Sequence, residues 1–150
     1  MNGVTKITSE QDIMMITLTN AQPASSLAGV LTAFAENGIV VDMICQSAPR
    51  AATIDFSFTT SASYFDAAMQ TIAALGAGAA PLISSGYSKL NLFGEEMVTS
   101  CGVAARALRA LLEAEIEVSL ITTSDLDISL LVRAESEDTA LCALKKAFAV

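Results

Sequence analysis

Histidine is absent from this sequence of 150 residues, and cysteine and basic residues are sparse. The absence of histidine removes the commonest general base and a frequent zinc ligand. Cys45, Cys101 and Cys142 stand far apart without a C-x-x-C pair, so we expect small buried apolar side chains. The sequence also lacks the GxxxxGK[ST] and GxSxG motifs, and GAGA at 76–79 has the composition of a linker. We therefore predict no catalytic site, no metal site and no cofactor.

Positive charge is also scarce. The sequence has 16 acidic and 8 basic residues, a formal net charge of −8, and its basic residues are scattered, which argues against nucleic-acid binding. The apolar runs are shorter than the roughly 18 residues that a membrane span needs, and the polar start MNGVTKITSEQD does not resemble a signal peptide. Hydrophobic residues make up 53% of the chain, enough for a real core. These features predict a cytoplasmic protein without membrane contact.

The sequence contains two copies of one pattern. LAGVLTAFAENGIVVDMICQS (27–47) aligns without gaps on AARALRALLEAEIEVSLITTS (104–124). In both copies apolar residues recur at i, i+3, i+4 and i+7, which predicts an amphipathic helix. These residues are Leu27, Val30, Leu31 and Phe34, and then Ala104, Ala107, Leu108 and Leu111. Asn37-Gly38 predicts the end of the first helix, and Ala114-Glu115 occupies the same place in the second copy.

Strand-like stretches surround each of these helices. DIMMITLTN (12–20) and YSKLNLFG (87–94) precede them, and TIDFSFTT (53–60) and LDISLLVR (126–133) lead into a second helix in each copy. The predicted inner faces of the second helices are Phe65, Met69 and Ile72, and then Leu141, Leu144 and Phe148. Strand, helix, strand, strand, helix is the order of a ferredoxin-like βαββαβ unit without its last strand. The predicted fold class is α+β.

Each ferredoxin-like unit still needs its last strand, and the stretches that can supply these two strands determine the predicted domain organisation. PLISS at 81–85 can complete the first copy, whereas the second copy reaches Val150 without a further strand. One strand-like stretch remains, GVTKITS at 3–9, and we assign it to the second copy. The sequence therefore predicts a first domain at 12–86, inserted within a second domain formed by 3–9 plus 87–150.

A single carboxylate interrupts the apolar stretch GIVVDMICQS at 38–47. A run this rich in Val and Ile predicts a strand buried on both faces or nearly so, where Asp42 would be costly without a partner. The alternative is a carboxylate at the strand end that faces water or caps a nearby amide. The second copy has Ser119 at the equivalent position.

Several of these segments resemble a known family. VDMICQS (41–47), VSLITTSD (118–125) and DISLLV (127–132) resemble strand motifs of the paired ACT domains in the regulatory region of aspartate kinase, and VTKITSEQDIMMITL (4–18) resembles the segment that begins this region. The resemblance covers essentially the whole chain. It implies two ACT units that bind a free amino acid, usually across a dimer. Family members are inhibited in this way by lysine, threonine or both, and the kinase domain of the family is not in this sequence.

The resemblance also implies an effector site in the first copy. In lysine-sensitive members, the carboxylate at the position of Asp42 receives an amino group of the effector, and backbone groups at the helix start receive its carboxylate. The family usually has Pro-Gly at this helix start, where the alignment places Ala24-Ser25. The residues implied as effector-binding are Asn20, Ser25, Ser26, Leu27, Val40, Val41, Asp42, Gln46 and Ser47.

The functional prediction is a regulatory amino-acid-binding ACT pair of aspartate kinase that mediates feedback inhibition. We expect lysine as the effector first and threonine second, a homodimer formed by ACT packing, and a kinase domain in cis or a catalytic subunit in trans. The parent protein would be an aspartate kinase, although this chain itself shows no catalytic residues. The alternative is an ACT dimerisation platform without a ligand, or a regulatory subunit of an amino-acid kinase.

Overall fold

The computed structural model describes residues 3–75 and 81–150, so the run GAGA at 76–79 lies outside it. The chain divides into two compact units. The first unit is Asp12–Gly86, and the second unit combines the residues up to Gln11 with Tyr87–Val150. Both contain antiparallel strands and helices, which confirms the predicted α+β class. In the described part of the chain, no helix is long and apolar enough to cross a membrane.

The elements follow one another in the predicted repeating order. The strands are β1 (Lys6–Ala21), β2 (Asp42–Gln46), β3 (Ile54–Ser61), β4 (Leu82–Phe93), β5 (Leu120–Thr123) and β6 (Asp127–Arg133). The helices are α1 (Ser25–Glu36), α2 (Phe65–Ala74), α3 (Val103–Glu113) and α4 (Glu137–Phe148). A three-residue 3₁₀ turn precedes both α2 and α4, at Ala62–Tyr64 and Ala134–Ser136.

Two strands are longer than the sequence pattern predicts. The predicted strands at 3–9 and 12–20 form the single strand β1, and PLISS continues into 87–94 as β4. At the boundary between the units each long strand has a residue with positive φ, Asp12 at 56° in β1 and Gly86 at 83° in β4. These two residues are the first and the last of the first unit. The division between the units therefore falls within continuous strands, at residues of left-handed conformation.

The first unit has its core between one face of the strands and the helices α1 and α2. Its strands lie in the order β2-β3-β1, with Ile16 opposite Phe58. Val30 and Phe34 of α1 are buried, and Leu27 and Leu31 pack against the same cluster, as the helical spacing predicts. Ile83 of β4 also packs there. Phe34 is completely buried.

The second unit repeats this packing with different side chains. Its strands lie in the order β4-β6-β5, with Leu90 opposite Leu130. Val4 belongs to this core, and the amide of Thr5 donates to the carbonyl oxygen of Phe93 at 2.8 Å. Leu144 and Phe148 of α4 are buried as predicted, and α3 contributes the buried residues Val103, Ala107 and Leu111.

Helices α1 and α3 end in the same way. In α1, the amides of Gly38 and Ile39 donate to the carbonyls of Ala35 and Phe34, at 3.0 and 2.9 Å. In α3, the amides of Glu115 and Ile116 donate to those of Leu112 and Leu111, also at 3.0 and 2.9 Å. Gly38 has a φ of 69° and Glu115 a φ of 58°. The predicted stop at Asn37-Gly38 is confirmed, and a glutamate adopts the left-handed conformation in the second copy.

The predicted inner face of α2 is confirmed at Ile72, which packs against the core of the first unit, and is wrong at Phe65 and Met69. Phe65 and Met69 are 44% and 45% exposed, whereas Ala68 and Thr71 are buried. The 3₁₀ turn at Ala62–Tyr64 delays the start of α2, and a helix rich in alanine has no single strongly apolar face to orient it. Tertiary contacts therefore select which face of α2 is covered.

The predicted burial of the cysteines is also wrong. Cys101 and Cys142 are exposed and Cys45 is half-buried, because each lies at a helix start, on an outer helix face or on a short strand rather than beneath a layer. In the described residues, no group of His, Cys, Asp or Glu is arranged to hold a metal ion.

Candidate functional site

The loop before α1 has an uncommon backbone conformation. Ala24 has φ 60° and ψ −59°, and the amide of Ser25 donates to the carbonyl oxygen of Pro23 at 2.7 Å. These values define a γ-turn of the rare, strained type with positive φ. An alanine in this conformation costs of order 1–3 kcal/mol, which the surrounding structure must offset.

The equivalent residue in the second unit is a glycine. Gly102 lies immediately before α3 with a φ of 82°, just as Ala24 lies immediately before α1. Pro23-Ala24 therefore corresponds to the Pro-Gly pair. The sequence alignment places this pair one residue later, at Ala24-Ser25. The proline is present, and only the glycine is replaced.

The first amides of α1 already have partners in the loop. Besides the bond from Ser25 to Pro23, the amide of Ser26 donates to the carbonyl oxygen of Gln22 at 3.2 Å. The hydroxyl of Ser26 accepts from the amide of Gln22 at 3.1 Å, while Leu27 packs against the core. A carboxylate that binds at this helix start would therefore compete with the loop carbonyls for the first amides.

Asp42 begins β2, which lies at the end of the strand order in the first unit. Asp42 is exposed, whereas the next residue, Met43, is buried and has a φ of 43°. The pairing with β3 shifts register between Asp42 and Cys45. The expectation of a strand buried on both faces or nearly so is wrong, because Met43 is the one buried residue of β2. An apolar run does not reveal which faces of a strand other elements will cover.

The residues on either side of Asp42 differ in burial. Val40 is 69% exposed, and its carbonyl oxygen accepts a hydrogen bond from the hydroxyl of Thr60 at 2.6 Å. Val41 packs against the core of the first unit. Gln46, at the end of β2, is exposed and lies opposite Phe56 of β3. The polar residues of this segment thus face solvent on one side of the strand.

Ser47 closes the connection between β2 and β3. Its amide donates to the carbonyl oxygen of Asp55 at 2.8 Å, and its hydroxyl accepts from the amide of Asp55 at 3.0 Å. Ser124 makes the same pair of bonds with Asp127 in the second unit, at 2.9 and 3.1 Å. The serine that ends both sequence copies therefore has a structural role in each unit.

Asp55 is a residue of this site that the sequence analysis did not identify as part of it. Its carboxylate oxygen Oδ1 accepts from the amide of Asn20 at 2.9 Å, so Asp55 joins Asn20 and Ser47, two of the predicted residues. The signal in the sequence is the alignment of Asp55 with Asp127 at equivalent places after the shared serine. Of the predicted residues, Asn20 and Ser47 thus share a hydrogen-bonded set around Asp55, and Ser25 and Ser26 belong to another around the Pro23-Ala24 turn.

Comparison with known proteins now adds to this geometry. A family model described as an ACT domain matches residues 90–148, which lie in the second unit. The aspartokinase of Geobacillus stearothermophilus is 30% identical over 143 residues, which cover 95% of this chain and 35% of that protein. The ligand-free regulatory subunit of aspartate kinase from Thermus thermophilus has a TM-score of 0.89 and 27% identity, covering 97% of this chain and 99% of that one. This chain is an aspartokinase-type ACT regulatory region.

A second solved structure supports the same relationship. A structure of aspartokinase alpha and beta subunits has a TM-score of 0.87 and 29% identity, covering 98% of the ACT chain and 99% of that chain. The ACT chain spans about a third of the length of the curated aspartokinases, 35% in the Geobacillus protein. The ferredoxin-like ACT fold that the resemblance implies is confirmed.

Among the described residues of this ACT chain, three of the eight non-glycine residues with positive φ lie at the candidate site. Asn20, Ala24 and Met43 all have positive φ, at 51°, 60° and 43°. Each lies within two residues of a predicted effector-binding residue or is one itself. Non-glycine residues in this conformation persist only where the surrounding structure holds them, and they cluster at ligand-binding and switch regions.

Proposed function

We propose that this ACT region is the amino-acid-binding regulatory part of a cytoplasmic aspartate kinase, and that it mediates feedback inhibition. The observation that carries the proposal is the strained turn at Pro23-Ala24, which opens α1 in the unit that also presents Asp42 on an end strand. Three left-handed residues surround this region. A loop held under strain supports a binding role better than a purely structural one.

The proposed effector is lysine, followed by threonine. A free amino acid has an ammonium group that suits a carboxylate such as Asp42 and a carboxylate that suits the backbone amides at a helix start. Lysine adds a second ammonium group, and the chain has a formal net charge of −8. We assign the ammonium contact to Asp42 and the carboxylate contact to Ser25, Ser26 and Leu27. Asn20, Val40, Val41, Gln46 and Ser47 form the remainder of the proposed site.

The proposed domain organisation keeps the boundaries that the sequence predicts. The first ACT domain is 12–86, and the second combines 3–9 with 87–150, so that the first is inserted within the second. Support comes from the packing of Val4 in the core of the second unit and from the hydrogen bond between Thr5 and Phe93.

Feedback inhibition requires that the effector bind two states of the kinase with different affinities, whether the kinase domain is in cis or in trans.

Replacing Asp42 by asparagine tests the effector site. The amide keeps the shape of the side chain but removes the charge, so lysine affinity should fall by the roughly 1.5–3 kcal/mol of a charge-assisted hydrogen bond, about 10- to 150-fold. Isothermal titration calorimetry with lysine and then threonine measures this loss. Ala24→Gly should instead raise the free energy of unfolding, measured by denaturant titration, because glycine adopts the positive φ without strain.

The matched control is Asp66→Asn, the same change at an exposed carboxylate of α2 in the same unit. Its lysine affinity should equal that of the unmodified chain. Equal affinity in the Asp42→Asn variant would remove Asp42 from the site. If neither amino acid gives a binding heat with any of the proteins, a dimerisation platform without a ligand is the better interpretation.

We further propose that the chain forms a homodimer through the first unit. β2 lies at the end of the strand order and exposes Ile44 at 46%, and Val40, two residues before the strand, is 69% exposed. Exposed apolar residues at an end strand favour pairing with another chain. Ile44→Lys should therefore give a monomer by light scattering at micromolar concentration. Leu112→Lys, at a 74% exposed position of α3, should remain a dimer. A monomeric unmodified chain, with and without lysine, would argue against this interface.

A further inference from the structure

Glu137 is a buried carboxylate that the proposed effector site does not use. It is the first residue of α4, with 7% of its surface exposed. A buried charge is costly unless hydrogen bonds replace its lost hydration. Here the hydroxyl of Ser88 donates to Oε2 at 2.7 Å, and the side-chain amide of Gln11 donates to Oε1 at 3.4 Å. The helix start also favours a negative charge at this place.

The hydrogen bonds hold Glu137 in its charged form. The bond from Ser88 is the largest influence that lowers the pKa of Glu137, and Ser9 and Gln11 lower it further, whereas burial acts in the opposite direction. The net pKa lies below the usual value of a glutamate. The carboxylate is therefore a hydrogen-bond acceptor for donors from two different strands, β1 and β4.

These donors lie close to Asp12 and Gly86, the residues at which the chain passes from the second unit into the first and returns to it. Ser9 and Gln11 are among the last residues of β1 before Asp12, and Ser88 follows shortly after Gly86 in β4. Asp12 and Gly86 are the two left-handed residues at which the first unit begins and ends. The carboxylate of Glu137 thus accepts hydrogen bonds from both strand segments of the second unit that continue into the first unit.

The arrangement has no equivalent in the other copy. Phe65 is the first residue of α2, as Glu137 is of α4, and it is 44% exposed. The fold by itself does not require a carboxylate here, since the first unit has the same strand, 3₁₀ turn and helix with a phenylalanine. Of these two equivalent positions, only the one in the second unit carries a buried carboxylate.

We propose that Glu137 is a positioning residue that makes segments 6–11 and 87–89 open and close together. Loss of its charge leaves the donors of both strands with a poorer acceptor at the same moment, so the two segments behave as one cooperative unit. β1 and β4 are also hydrogen-bonded neighbours in the strand order, so Glu137 adds a side-chain coupling to the backbone coupling between the two segments. This inference does not depend on the proposed effector.

Hydrogen–deuterium exchange of the full chain tests the inference. Glu137→Gln should raise the amide exchange rates of 6–11 and 87–89 together, by roughly tenfold, with α1 and α3 unchanged. Ser88→Ala removes one donor and should raise exchange in the same two segments by a smaller factor, which keeps the test valid if Glu137→Gln folds poorly. Glu135→Gln is the matched control, because this carboxylate is 72% exposed and contacts only Arg133, at 3.7 Å, among the ion pairs described.

The control variant Glu135→Gln should leave the amide exchange rates of 6–11 and 87–89 unchanged. Faster exchange in both segments of the Glu137→Gln and Ser88→Ala variants, with the rest of the second unit protected, supports the coupling. Faster exchange in only one segment, an even rise across the second unit, or no change at all would each overturn the proposal.

Discussion

Alanine in place of Gly94 should detach the first residues of the chain from the second unit. A Cβ atom at this position would lie 1.8 Å from the carbonyl oxygen of Gly3, 2.8 Å from its carbonyl carbon and 3.0 Å from the Cα of Val4. These are backbone atoms, which cannot rotate away as a side chain can. Gly94 has a φ of −174°, an extended conformation open to any residue, so the effect is purely steric.

The expected loss of stability follows from what residues 3–5 contribute. Val4 is 2% exposed, and its burial is worth about 1.5–3 kcal/mol. The hydrogen bond from Thr5 to Phe93 adds about 1 kcal/mol. Gly94→Ala should therefore lower the free energy of unfolding by about 3 kcal/mol or more, as measured by denaturant titration. Amide exchange should rise across residues 4–9.

Gly29→Ala is the control for this experiment. Gly29 lies within α1, and a Cβ there would meet nothing within 4 Å. Alanine should stabilise the chain by about 0.8–1 kcal/mol, because glycine is a poorer helix former. If Gly94→Ala costs less than about 1 kcal/mol and residues 3–9 stay protected, the packing of the first strand in the second unit carries little energy. The proposed domain organisation would then lose its main support.

Truncation of Phe34 to alanine should destabilise the first unit by about 3–5 kcal/mol, as expected for a large buried aromatic side chain. Phe34 is completely buried and contacts Phe58 edge to face, with ring centroids 5.1 Å apart and planes at 89°. Phe58 in turn stacks near Phe56 at 6.3 Å. The truncation removes the side chain by which α1 is anchored on this aromatic cluster, so denaturant titration should show the loss directly.

Thr32→Ala is the matched change on the exposed side of the same helix. It should alter the free energy of unfolding by less than about 0.5 kcal/mol, as surface substitutions usually do. A loss below about 2 kcal/mol for Phe34→Ala would mean that neighbouring side chains collapse into the space and that the cluster does not anchor α1. Weakened lysine binding in Phe34→Ala is also expected, because α1 carries the proposed carboxylate contacts at its first turn.

Local periodicity was sufficient to predict α1 and α4 correctly. The spacing of Val30 and Phe34, and of Leu144 and Phe148, puts their side chains on one helix face whatever the helix packs against. The stop at Asn37-Gly38 is equally local, because glycine adopts positive φ at no steric cost. The repeat of these local patterns also predicted the α+β class.

The errors concern residues whose environment depends on distant parts of the chain. Phe65 and Met69 were expected in the core, and the exposed strand β2 was expected to be buried on both faces or nearly so. In both cases hydrophobicity alone cannot specify the neighbour that covers a side chain, because that neighbour comes from another element. Asp55 was not identified for the same reason, since its contact with Asn20 joins residues that are 35 positions apart.

The amino-acid sequence by itself determined the helix faces with strong periodicity and the helix stop at Asn37-Gly38, because these depend on residues only a few positions apart. Tertiary structure alone decided that β2 lies at an end of the strand order, that Ala24 adopts positive φ and that Glu137 is buried between donors of β1 and β4. Strand order, backbone strain and the burial of a charge are set by contacts between distant segments. The free energy of the whole fold, rather than any local pattern, selects them.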